Sequence, residues 1–145
     1  MKITIGRFDK ADFPELSLED IDVKIDSGAY TSSIHCSNIE EITVDGESLI
    51  RFQLLDEEHP FYNHKSFDTK NYSSKIVKSS NGISEKRFMI QTEIIIFNKK
   101  LPIFLTLSER KDMKFPILLG RKFLNKKFVI DTAKKNLSNK LKNKS

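Results

Sequence analysis

The chain has 145 residues, of which 38% are hydrophobic and 31% charged, with a mean hydropathy of −0.42. That length suits one domain with a sizeable core, and no apolar run approaches the roughly 20 residues that a membrane helix requires. The single cysteine excludes an intramolecular disulfide framework and fits a reducing compartment.

The opening MKITIGRFDK lacks the apolar segment of a signal peptide, so a cytoplasmic location and no membrane partner are expected. The formal net charge is +5 and the pI about 9.2. Much of that excess lies in the terminal KKNLSNKLKNKS, and without it the body is close to neutral. Residues 135–145 are therefore expected to be a frayed basic tail on a domain spanning 1–134. No segment interleaves exposed aromatics with arginine, which disfavours a nucleic-acid partner.

In chain order, Lys2–Arg7 reads as an edge strand, followed by a polar loop through Pro14. Asp20–Asp26 alternates with period two, the mark of a half-buried strand, and ends in Asp26-Ser27-Gly28-Ala29. Ser32–Cys36 is a second short strand. Asn38–Val44 and Glu47–Leu55 flank Asp45-Gly46, a dipeptide suited to a tight hairpin. Asp56–Ser74 reads as a long excursion of a kind that is usually functional or mobile.

Strands resume at Lys75–Lys78 and Ile83–Phe97, joined by Ser79-Ser80-Asn81-Gly82. Asn98-Lys99-Lys100 turns the chain into Leu101–Leu107. Phe115–Leu119 is short, apolar and closed by Gly120, as a buried strand would be. Arg121–Asn125 can make a helical turn or two, and Phe128–Asp131 a last strand. The composite is all-β with one short helix near the C-terminus.

Two elements carry chemistry together: the acid-bearing turn Asp26–Ala29 and the distant Ile117-Leu118-Leu119-Gly120-Arg121. With the hairpin tipped by Ser79–Gly82 between them, KIDSGAYTSSIH, SSNGISEKRFMIQTEI and LTLSERKDMKFPILLGRKFLNKKFVID resemble the retropepsins. They look most like the bacterial retropepsin-like family often labelled "ATP-dependent zinc proteases". The resemblance covers Ile21 to Asp131 and implies a closed retropepsin-like barrel that works as a two-fold homodimer.

It further implies an aspartic peptidase acting on a peptide or protein substrate, with Asp26 of each subunit as the catalytic carboxylate. Two such acids roughly 3 Å apart share one proton and activate water. Only one D-[ST]-G occurs here, because Asp68-Thr69-Lys70 and Asp131-Thr132-Ala133 lack the glycine. A dyad therefore needs a second copy.

By the same resemblance, Ser27, Gly28 and Ala29 form the active-site turn, with the Ser27 hydroxyl bonding across the dyad. Ser79, Ser80, Asn81 and Gly82 tip a flap. Leu118, Leu119 and Gly120 buttress the turn, and Arg121 reaches a carboxylate. The family's association with ATP-grasp ligases, which add glutamate to ribosomal protein tails, makes such a ligase a partner. A catalytically weak binding or processing module beside that ligase is the alternative.

The zinc of the family label finds no ligand pattern. His59 and His64 flank a loop, and His35-Cys36 are adjacent on a strand. A phosphate loop for ATP is also missing, so neither metal nor cofactor is expected.

Overall fold

The computed structural model describes residues 1–78, 81–109 and 114–144. Strands dominate: β1 (Ile3–Ile5), β2 (Phe8–Phe13), β3 (Leu18–Ile25), β4 (Ser32–Val44), β5 (Glu47–Leu54), β6 (Ser66–Thr69), β7 (Tyr72–Lys78), β8 (Ser84–Ile96), β9 (Lys99–Ser108), β10 (Ile117–Leu119) and β11 (Phe128–Ile130). Two short helices follow β10, α1 (Arg121–Leu124) and α2 (Leu137–Lys142).

Six strands close a barrel in the order β10-β3-β2-β8-β9-β4, because β10 also pairs with β4. β10 runs parallel to β3, with Leu119 opposite Ile25, and antiparallel to β4, with Ile117 opposite Ile34. This short strand is the staple of the ring. Its Ile117 and Leu119 are fully buried, with Ile21, Val23, Ile34 and Leu105. Each such aliphatic side chain contributes about 1.5–3 kcal/mol on burial.

Beyond the ring, β5 and β6 extend outward from β4, and β7 pairs with β8 as a long hairpin. The Asp45-Gly46 turn has positive φ at both residues (51° and 80°), as a tight hairpin between twisted strands requires.

Several boundaries differ from expectation, each for a local reason. The polar loop expected before Pro14 is β2, whose Asp9, Ala11 and Phe13 face inward. Ser32–Cys36 and Asn38–Val44 form one strand, β4, interrupted by an irregularity between Ser37 and Glu40, with Asn38 at φ 51°. The expected excursion at 56–74 is shorter, since β6 pairs with β5 and β7 starts at Tyr72. The turn after β8 is Phe97-Asn98, both with positive φ, so Ile96 faces Lys99.

The basic end is also corrected. Instead of fraying, it folds into α2 against β2, and the cause is Asp9. Its fully buried carboxylate accepts the amides of Lys10 (2.8 Å), Ser138 (2.8 Å) and Asn139 (3.0 Å). Ser138 Oγ accepts the Phe97 amide at 2.7 Å, and Lys142 Nζ reaches Asp12 and Asp20 at 3.1 and 2.8 Å. Removing the buried acceptor strands two α2 amides. Asp9→Ala is expected to cost about 2–4 kcal/mol, read as a lowered urea midpoint with an unchanged m-value.

Candidate active site

The sequence that builds this site is a strand followed by a turn of small residues. β3 ends at Ile25, and the Asp26 amide donates to the Leu119 carbonyl of β10 (2.9 Å), so the acid sits where the barrel's staple ends. The Ala29 amide bonds back to the Asp26 carbonyl (3.3 Å), and the Gly28 amide donates to Asp26 Oδ1 (3.0 Å). Among the described residues Oδ2 accepts no hydrogen bond. Asp26 is half-buried and lines a cleft of about 830 Å³ whose walls include Ala29, Leu118, Arg87 and Phe88.

Gly120 explains how β10 and the turn lie so close. A Cβ at this position would stand 2.6 Å from the Thr31 carbonyl oxygen and 2.7 Å from that of Tyr30. The Gly120 amide donates to Ser32 Oγ (3.0 Å), and the next two amides, of Arg121 and Lys122, donate to the Ala29 and Tyr30 carbonyls (2.9 and 2.8 Å). The start of α1 therefore satisfies the exposed carbonyls of the Asp26 turn.

Among the described residues Arg121 reaches no carboxylate, where one was expected. Its Nη1 donates to the Ser27 backbone carbonyl (2.9 Å), and its guanidinium lies over the Tyr30 ring at 5.8 Å. Leu119 is buried in the barrel, while Leu118 lines the cleft. Ser27 and Gly28 are exposed.

Of the expected flap tip, Ser79 and Ser80 lie outside the described residues. Asn81 and Gly82 lie between β7 and β8, with Gly82 at φ 83° and Asn81 Oδ1 accepting the Ile83 amide (3.2 Å). The β7–β8 hairpin is tied to β4 through Glu41, which accepts Lys86 Nζ (2.8 Å) and the Tyr72 hydroxyl (2.5 Å).

Sequence reasoning missed a second feature of the arms. Lys75 and Arg87 are directly opposite each other on β7 and β8, and both line a pocket of about 230 Å³ with Thr31, Ser73 and Ser74. Like charges in that register repel. The only cue in the sequence was the spacing of basic residues on either side of the Asn81-Gly82 turn, legible once the hairpin register was known.

A zinc site does not fit the residues present. Both His35 ring nitrogens are engaged, Nδ1 with the Ser108 carbonyl (3.2 Å) and Nε2 with Asp56 Oδ2 (2.7 Å). Among the described residues no three His, Cys, Asp or Glu side chains converge. Cys36 is fully buried, and that burial, with Glu109 nearby, pushes its thiol well above its ordinary value. A thiol so placed is a poor nucleophile.

The profile of one family, described as "RimB-like: Retropepsin-like aspartic endopeptidase RimB", matches residues 4–141. Proteins named "Probable alpha-L-glutamate ligase" are similar in sequence. One from Desulfotalea psychrophila is 38% identical over 91% of this chain and 28% of its own length. One from Shewanella pealeana is 35% identical over 91% of this chain and 29% of its own. The chain thus spans less than a third of these relatives. A crystal structure of Lpg0085, a protein of unknown function from Legionella pneumophila, superposes with a TM-score of 0.71 at 25% identity, covering 95% of this chain and 99% of that one.

Two outcomes follow from this geometry. Gly120→Ala pushes a methyl group into backbone rather than into a flexible side chain, so a loss of about 1–3 kcal/mol is expected, measured by chemical unfolding. The Glu41 carboxyl is held below its usual range by hydrogen bonds from Lys86 and Tyr72. A lowered folded-state value means the tie contributes above the ordinary carboxylate range and is lost as pH falls through the lowered one. Amide exchange across 72–78, corrected for its intrinsic pH dependence, is expected to quicken below roughly pH 4.

Proposed function

This chain belongs to the RimB-like family of retropepsin-like aspartic endopeptidases, and we propose that it hydrolyses peptide bonds as a homodimer in which each subunit supplies Asp26. The observation that carries this reading is the turn itself. One carboxylate is fixed by the Gly28 amide on one oxygen, its other oxygen accepts no hydrogen bond among the described residues, and the residue lines a cleft of about 830 Å³.

Two Asp26 groups about 3 Å apart hold one proton between them, because both cannot ionise at that distance. The ionised member takes a proton from a bound water, which attacks the scissile carbonyl. The protonated member gives its hydrogen bond to the carbonyl oxygen as charge develops there. The pair titrates as a unit. The β7–β8 arms serve as the flap that covers the substrate and excludes water.

The ligase names of the relatives support a partnership with, or a place beside, an α-L-glutamate ligase, expected from the resemblance to be an ATP-grasp enzyme. Glutamate-bearing peptides are then the substrates of first choice, and the opposed Lys75 and Arg87 supply countercharge for their carboxylates. Retention of the barrel as a binding module with weak catalysis is the second reading, and the same partnership favours it.

Cleavage of glutamate-containing peptides, followed by mass spectrometry, separates the two. Asp26→Asn is expected to retain the fold and lower kcat/KM by about 10²-fold or more. A folded Asp26→Asn protein with wild-type turnover refutes the catalytic role. Peptide binding without turnover by the wild-type chain selects the module.

A further inference from the structure

Strand alternation on β9 turns Ile103 and Leu105 into the barrel and Phe104 outward, where it is 39% exposed. β4 runs beside β9 with Ser32 opposite Leu105, and α1 contributes Lys122 and Phe123 to the same region. With Thr31 and Lys127 these side chains line a pocket of about 180 Å³, a volume suited to one side chain rather than to a nucleotide. Thr31 also lines the Asp26 cleft, so the two spaces adjoin.

The lining and the charges of this pocket differ in kind. Ile103 and Phe123 are buried, and with Phe104 they form an apolar surface. Two cations stand over it. Lys122 Nζ lies 4.4 Å from the centre of the Phe104 ring. Lys127 Nζ lies 5.3 Å from that of Phe123 and donates to the Phe123 carbonyl (3.2 Å). Among the described residues neither lysine has a carboxylate within ion-pair distance. Ser32 adds a third donor. It is 3% exposed and its Oγ accepts the Gly120 amide (3.0 Å), while among the described residues its own proton has no acceptor. A buried hydroxyl with a spare proton and two cations without countercharge favour an anionic oxygen ligand. The apolar lining favours one that carries hydrocarbon as well.

We propose that this pocket binds a carboxylate carried on an apolar stem, as at the C-terminal end of a peptide whose last residue is aromatic or aliphatic. The carboxylate answers Lys122, Lys127 and the Ser32 hydroxyl, and the stem covers Phe104, Ile103 and Phe123. A glutamate side chain brings the same charge, but its two methylenes cover less of that lining. Binding here needs neither the Asp26 carboxylate nor a second copy of the chain, so it stands or falls apart from peptide hydrolysis.

The test is an amide-correlation NMR titration of the isotope-labelled full chain with N-acetyl-L-phenylalanine at neutral pH and constant ionic strength. Saturable shifts are expected at the amides of Thr31, Phe104, Lys122 and Lys127. Two analogues separate the sources of affinity. N-acetyl-L-phenylalaninamide keeps the ring without the carboxylate, and the α-amide of N-acetyl-L-glutamic acid has its carboxylate on a side chain. Each is expected to bind about fivefold more weakly or worse. Lys122→Gln with Lys127→Gln is expected to raise the Kd of the probe about fivefold or more. Lys65→Gln, which removes a cation standing over Phe67, is expected to leave it unchanged. The dispersion of the unliganded spectrum reports whether the double variant folds, and if it does not, the two analogues decide. Absence of saturable shifts at these amides, equal affinity for either analogue, or unchanged affinity in the folded double variant overturns the proposal. None of these outcomes bears on the role of Asp26.

Discussion

The Asp26 turn depends on a missing side chain. Gly120 lets the end of β10 press against the Tyr30 and Thr31 carbonyls, at distances no Cβ could share. From that contact follow the bond from the Gly120 amide to Ser32, the bonds from the first amides of α1 to the turn, and the reach of Arg121 to Ser27. The same three-residue strand closes the barrel by pairing on both sides. Barrel closure and placement of the acid are thus one packing event, and what disturbs either disturbs the other.

Much of this was legible in the sequence because the relevant signals were local. Period-two alternation located β3, Asp45-Gly46 located a hairpin, and the apolar Ile117–Leu119 closed by glycine located the buried strand. The misreadings share a physical cause, which is that distant partners override local appearance. FDKADF looks polar because Asp9 faces inward, a placement made tolerable only by amides contributed some 130 residues away. The basic end looks unfolded because its anchors, Asp9, Asp12 and Asp20, lie near the other end of the chain. The site shows the same division. The position of Asp26 in a turn at the end of β3 was legible, whereas the Lys75–Arg87 opposition exists only through strand register, and the partner of Arg121 proved to be a backbone carbonyl.

Charge is distributed with some economy around the cleft. Glu41 neutralises Lys86 and at the same time ties the β7–β8 arms to β4. Among the described residues the acid paired with Arg87 is Glu85 on its own strand, at 3.6 Å. Lys75, Lys86 and Arg87 thus stand along the β7–β8 arms, while Asp26, Glu85 and Glu109 are acids that line the cleft.

Closure of the ring by β10 also limits what can join the sheet. A barrel with every ring strand paired offers no long flat edge to a neighbouring chain. Among the described residues of the nine-stranded sheet the strands with a partner on one side only are β6 and β7, and β7 is one arm of the hairpin beside the cleft. An extended guest that seeks backbone partners is thus turned away from most of the surface. The arm beside the cleft is one of the few places where it can add as a strand.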